Sequence, residues 1–251
     1  MKRLYEKNEL LFALLWILVY CLLISPIRSR FGDESIFMLG ALVLFVSAIL
    51  IFISQNHLEE KYGLHGWPKN PKRYLYFIPM WILATGNLWE GISMEARGFP
   101  QFLAVFSMAL VGVAEEVIFR GFLFRALLKK NSVSLSVVIT SLTFGIGHIL
   151  NLFAGQTGFE TIVQIVFAVS LGFLFTMVFY KCGSLFPGIL MHSMIDVFSR
   201  FGEISERTGW IYLGASIVIS LLYCLYLSRL PSELSKAETP LPEAQRLPEE
   251  P

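Results

Sequence analysis

Apolar residues run in long blocks along this chain, and most polar residues gather between them. The blocks cover residues 9–26, 36–55, 74–90, 100–124, 134–153, 160–180, 185–199 and 210–228. A helix needs about 20 apolar residues to cross a bilayer, with a range of about 17–25. All eight blocks reach or approach that length. The pattern therefore predicts an all-α membrane protein of about eight transmembrane helices in one domain. Blocks 74–90 and 185–199 are the weakest, because Pro, Gly or polar residues interrupt them.

The charges between the blocks set an orientation. Lys2, Arg3, Lys7, Lys61, Lys69, Lys72, Arg73, Arg125, Lys129, Lys130, Lys181, Arg229, Lys236 and Arg246 fall on one side of an eight-span chain. The other side holds only Arg28, Arg30, Arg97, Arg200 and Arg207. The positive-inside rule puts both termini in the cytoplasm. The first block follows a basic start but is longer than a signal-peptide core. No Ala-x-Ala-like cleavage site follows it, so it is read as the first span.

Composition supports this picture. The chain is 55% hydrophobic and contains 22 phenylalanines, above the roughly 45–50% of soluble proteins. Net charge is +1 and no basic cluster suggests nucleic acid. Cys21, Cys182 and Cys224 lack metal-type spacing and are read as packing residues. Residues 231–251 are rich in Pro, Glu and Ser, and are expected to form a disordered cytoplasmic tail.

Few polar groups lie inside the spans. They are Glu115, Glu116, Arg120, His148, Asn151, His192 and Asp196, supplied by the fourth, fifth and seventh blocks. A carboxylate at the centre of a membrane helix costs about 2.5–3.5 kcal/mol on insertion scales, so adjacent glutamates mark a functional site. Neighbours on a helix point about 100° apart, so Glu115 and Glu116 should not serve one point equally. Glu116 and Arg120 are spaced i, i+4 and are expected to pair as a structural tie. That leaves Glu115 without a local partner, free to act as a general base. Gly145 and Gly147 leave room for a close neighbour beside His148. His192 and Asp196 share a helix face, whereas Ser193 faces elsewhere.

Together these groups can hydrolyse an amide. Glu115 would take the proton of a water and later pass it to the leaving nitrogen. His148 would help hold that water, and His192 would donate to the oxyanion. Depth along the helices is a difficulty. Glu115 lies about nine residues from the cytosolic end of its block and His192 about seven, while His148 lies about 14 residues into its own. The fifth helix must then start in the cytosol or tilt strongly.

Glu-Glu-x-x-x-Arg at 115–120, Phe-x-x-x-His at 144–148 and His-x-x-x-Asp at 192–196 resemble the three motifs of the CPBP intramembrane peptidases, the family of type II CAAX endopeptidases and bacteriocin-processing Abi proteins. The resemblance implies a peptidase core over residues 100–200. Residues 1–99 would supply three N-terminal helices, and 201–230 the last helix. It implies an intramembrane endopeptidase with Glu115, His148, His192 and Asp196 as catalytic residues. Glu116, Arg120 and Asn151 would support them. The family usually carries Asn at the position of Asp196. An ionised Asp cannot donate to an oxyanion. Asp196 must therefore be protonated, orient His192 or help hold a cation.

No cofactor is expected. A Zn2+ site built from Glu115, His148 and His192 is the metal-dependent alternative, although no His-Glu-x-x-His helix supports it. The expected partners are the bilayer and a hydrophobic or lipid-modified peptide, and the expected location is the plasma (inner) membrane. Three readings compete. In a membrane cytochrome His148 and His192 would ligate a haem, which leaves the glutamate pair unexplained. A non-catalytic immunity or scaffold protein of the same fold would not need Glu115. A transporter of the inverted-repeat kind should show a repeat, and none is found.

Overall fold

Helices are the only regular elements among the residues described by the computed structural model, which are 1–75, 77–94 and 96–234. After a short helical segment, Lys2–Lys7, come eight main helices. They are α1 (Glu9–Phe31), α2 (Ile36–Gln55), α3 (Phe77–Ala84), α4 (Phe99–Leu128), α5 (Val133–Ala154), α6 (Gly158–Cys182), α7 (Phe186–Phe198) and α8 (Glu206–Ser228). Several begin where the sequence offers a cap. Asn8, Ser35, Ser132, Thr157 and Ser205 each accept from a backbone N–H of the first turn. Thr157 and Glu160 form a reciprocal capping box.

Six of the helices are long and apolar enough to cross a membrane: α1, α2, α4, α5, α6 and α8. The eight expected spans correspond to these six long helices and two shorter ones, α3 and α7. α7 has 13 residues, about 20 Å at 1.5 Å per residue, against a hydrocarbon core of about 30 Å. The third block is broken further. α3 has eight residues and gives way to a 3-10 turn at Gly86–Leu88. The break follows from packing. A Cβ on Gly86 would lie 2.1 Å from the Tyr212 ring of α8, and Asn87 donates to the carbonyl of Ile195 on α7. Irregular backbone is tolerated at membrane depth when protein covers it. Here α7 and α8 provide that cover.

The two ends of the bundle can be traced from their contacts. At one end Lys61 and Lys129 both pair with Glu9. Ser184 donates to the carbonyl of Gly66, and Tyr226 to that of Arg73. Ser232 and Glu233 bond to the backbone at Tyr180 and Lys181 there, and Leu234 is buried. Residues 235–251, the rest of the expected tail, lie outside the described residues. At the other end Arg28 pairs with Asp33 at 2.7 Å. Gln101 donates to the carbonyl of Arg200, and Glu90 binds Ser205 and Thr208.

α4 and α7 run antiparallel in close contact. A Cβ on Gly112 would meet the Ser193 backbone nitrogen at 2.6 Å, and one on Gly188 would meet Glu116 Oε2 at 2.8 Å. Ser193 Oγ donates to the carbonyl of Ala109 across the same seam. Gly145 likewise admits Val169 and Ile165 of α6. Gly147 has no such neighbour and instead lines a cavity. For Glu115 and His148 the depth difficulty is removed because α4 runs on to Leu128 rather than stopping near Phe124. Glu115 and His148 then sit at similar distances from the turn at 129–132.

Candidate active site

α4 is α-helical over Phe99–Glu115, π-helical over Glu116–Phe124 and α-helical again over Arg125–Leu128. π-helical turns are rare and occur often at functional sites. This one begins at the second glutamate, and all nine of its residues are buried. The apolar neighbours Val117, Ile118, Phe122 and Phe124 pack into the main core. They anchor the segment that aims Glu115, Glu116 and Arg120.

Glu116 and Arg120 are fully buried. Arg120 Nη1 donates to Glu116 Oε1 at 2.8 Å, so the expected i, i+4 pair is present. The same oxygen lies 2.9 Å from His192 Nδ1. A carboxylate oxygen accepts from both, so Glu116 holds α7 as well as its own helix. Glu115 Oε2 lies 3.6 Å from His192 Nε2. The two glutamates therefore flank one imidazole from its two nitrogens. They do so unequally, at 2.9 and 3.6 Å and from opposite sides of the ring. His192 bridges them because α7 crosses α4 where Gly112 and Gly188 leave it room.

Glu115 also has a partner that the sequence did not reveal. Tyr20 of α1 donates its hydroxyl to Glu115 Oε1 at 2.9 Å. This carboxylate is not free of partners, as local spacing had suggested; its partner is ninety-five positions away. Tyr20 gave no signal because a lone tyrosine in an apolar span is ordinary.

His148 stands where the α-helical part of α5 passes into a 3-10 turn, His148–Ala154. Its Nδ1 lies 3.2 Å from the carbonyl of Phe144. A carbonyl only accepts, so this contact assigns the proton to Nδ1 and leaves Nε2 as an acceptor. Phe144 orders the whole group. Its ring is edge-on to His148 at 5.3 Å and to His192 at 5.6 Å, and the Arg120 guanidinium sits 4.1 Å from its centroid. The phenylalanine of the Phe-x-x-x-His pattern is thus a wedge between both histidines and the buried arginine. Asp196 Oδ2 lies 3.5 Å from His192 Nε2. Asn151 donates to Gln164 of α6 at 2.8 Å, which fastens the 3-10 turn.

Glu115, His148, Asn151, His192 and Asp196 all line one cavity of about 420 Å³. Tyr20, Cys21 and Ile24 of α1 form another wall, and Phe119 and Phe144 lie among its lining residues. The cavity combines apolar surface with converging polar groups, as ligand sites do. Among the described residues no group of three His, Cys, Asp or Glu side chains is arranged to hold a metal ion. His192 Nδ1 is turned to Glu116 and His148 Nδ1 to a carbonyl. The three cysteines form no disulfide.

Residues 97–198 match the family described as type II CAAX prenyl endopeptidase Rce1-like. No curated protein and no solved structure matches the chain. The matched segment contains both glutamates, both histidines, Arg120, Asn151 and Asp196, but not Tyr20. The six long apolar helices and the match to a membrane-protease family together point to a multi-pass membrane protein.

Proposed function

We propose that this chain, which through residues 97–198 belongs with the Rce1-like members of the CPBP intramembrane peptidases, hydrolyses a peptide bond in a membrane-attached or lipid-linked peptide with a water activated by Glu115 and His148. The observation that carries this reading is the shared cavity, lined by Glu115, His148 and His192 with a hydrophobic wall beside them. Glu115 Oε1 is held by Tyr20, so Oε2 is the oxygen left for a water. His148 Nε2 accepts from the same water and fixes its orientation. Attack on the carbonyl carbon moves the water proton to Glu115 and builds an oxyanion. His192 is gripped by Glu116 through Nδ1, which leaves Nε2 to donate to that oxyanion as an imidazolium. Glu115 then delivers its proton to the amine nitrogen, and the C–N bond breaks. The reaction consumes one water and releases one acid and one amine.

Tyr20 is a positioning residue in this scheme. Tyr20→Phe removes a hydrogen bond to a charged group, a contact worth about 1.5–3 kcal/mol. Turnover of a peptide substrate is expected to fall about tenfold or more with KM little changed. An unchanged kcat removes Tyr20 from the account.

Asp196 separates metal-free from metal-dependent chemistry. A protonated Asp196 would donate to the oxyanion or to a substrate carbonyl, and an Asn amide donates from nearly the same place. Asp196→Asn is expected to keep substantial activity, whereas Asp196→Leu loses it. Cleavage of a peptide pool in liposomes, with and without a chelator, checks both. A folded but inactive Asp196→Asn protein, together with chelator sensitivity of the wild type, would move the assignment to a metal site.

The reading as a whole is tested by incubating purified protein with hydrophobic peptides in 18O-labelled water. One heavy oxygen per new carboxyl terminus is expected. An absorption spectrum of the same preparation checks the haem alternative, which requires a Soret band.

A further inference from the structure

We infer that the catalytic cavity opens on the non-cytoplasmic face of the membrane, so the substrate is a membrane-attached peptide whose scissile bond emerges on that face. This rests on the peptidase reading for the nature of the substrate, but the sidedness stands on geometry and charge alone.

The cavity opens at one end of the bundle. Beyond the site residues it is lined by Arg28, Asp33, Ala154, Gln156, Ser199 and Arg200. These belong to the end of α1 and to the connections α1–α2, α5–α6 and α7–α8. That is the end where Arg28 pairs with Asp33 and Arg200 lies 3.6 Å from Glu34. Toward the other end the site is closed. Phe119 and Phe144 stack edge-on at 5.2 Å. Beneath them Arg120, Glu116, Phe122 and Tyr62 are each no more than 2% exposed. A second cavity at that far end, beside His57 and His65, shares no lining residue with the first.

The ends differ sharply in cationic residues. Every lysine among the described residues lies at the closed end: Lys2, Lys7, Lys61, Lys69, Lys72, Lys129, Lys130 and Lys181. Arg3, Arg73, Arg125 and Arg229 join them there. The open end has arginines at 28, 30, 97, 200 and 207 and no lysine. This end also carries Asp33, Glu34, Glu90, Glu203 and Glu206. All connections are short, the condition under which Lys and Arg counts set orientation. The anionic cytoplasmic leaflet attracts the closed end as well. The structure thus ties the basic end to the cytoplasm and the cavity mouth to the opposite face. A chain modified at its C-terminus in the cytoplasm would meet the sealed face. A peptide that has crossed the membrane, or is anchored with its cleavage site outside, would meet the open one.

Two variants test the sidedness in the full chain. Lys69→Cys and Glu203→Cys place thiols at exposed positions on the closed and open ends. Intact cells are treated with a membrane-impermeant maleimide, with permeabilised cells and the unmodified chain as controls. Glu203→Cys is expected to label in intact cells, and Lys69→Cys only after permeabilisation. Labelling of Lys69→Cys from outside, or of Glu203→Cys only after permeabilisation, overturns the proposal. Right-side-out vesicles should cleave externally added peptides, while inverted vesicles stay silent until detergent is added. The reverse result contradicts the proposal. If detergent-solubilised protein cleaves nothing, the peptidase reading fails, and the labelling still decides which way the cavity faces.

Discussion

Glu115→Gln is expected to abolish peptide-bond hydrolysis while the protein folds as the wild type does. Gln keeps the shape of the side chain and can still accept the Tyr20 hydroxyl at Oε1. It cannot take a proton from water. General-base catalysis contributes typically 10²–10⁴-fold, so a loss of at least about 10²-fold is expected. Because Glu115 also returns the proton to the leaving amine, the loss should approach the upper figure. Melting temperature in detergent and the elution profile should be unchanged. Wild-type-like turnover by a well-folded Glu115→Gln protein would sink the mechanism.

Glu116→Ala and Arg120→Ala should act first on stability. Both groups are fully buried; Glu116→Ala leaves Arg120 as an unpaired charge, which typically costs about 3–5 kcal/mol, and Arg120→Ala, which leaves Glu116 its His192 contact, should fall toward the lower figure. For a chain of this size that corresponds to a fall in melting temperature of about 6–20 °C. The double variant should cost less than the sum of the singles, because the two groups interact directly and it leaves no buried Arg120 charge without its partner. The two singles should differ in activity once folded protein is selected. Glu116 also holds His192 Nδ1, so Glu116→Ala frees the ring, whereas Arg120→Ala leaves that contact in place. Glu116→Gln keeps an oxygen for both donors and should recover part of the stability. If both alanine variants melt like wild type yet are inactive, the pair belongs to the chemistry rather than to the scaffold.

Much of this arrangement was legible in the sequence, because charged residues inside apolar blocks have few reasons to be there. Glu115, His148, His192 and Asp196 stood out on that ground, and the fold gathers them into one cavity. The Glu116–Arg120 pair followed from helix spacing alone. Other features depend on tertiary contacts that no local pattern encodes. Tyr20 reaches Glu115 only because α1 packs against the buried π-helical turn. His192 meets both glutamates only because Gly112 and Gly188 let α7 approach α4. Phe144 could be read as part of a motif, but its place between two histidines and a guanidinium could not. The shortness of α3 and α7 was hidden for a related reason. Apolar content predicts burial, and α3 and α7 are buried partly by other helices, so neither needs full bilayer length. α4 was placed too short because the charge at Arg125 reads as a membrane boundary, whereas in the fold that residue is buried.

The most direct test of the central claim is a mass-spectrometric comparison of membrane peptides from cells carrying the wild-type chain and cells carrying Glu115→Gln at the same abundance. The account predicts at least one membrane-attached peptide that accumulates uncut in the Glu115→Gln cells, with its cleaved fragments present only beside the wild type. Identical peptide profiles in the two strains would contradict it.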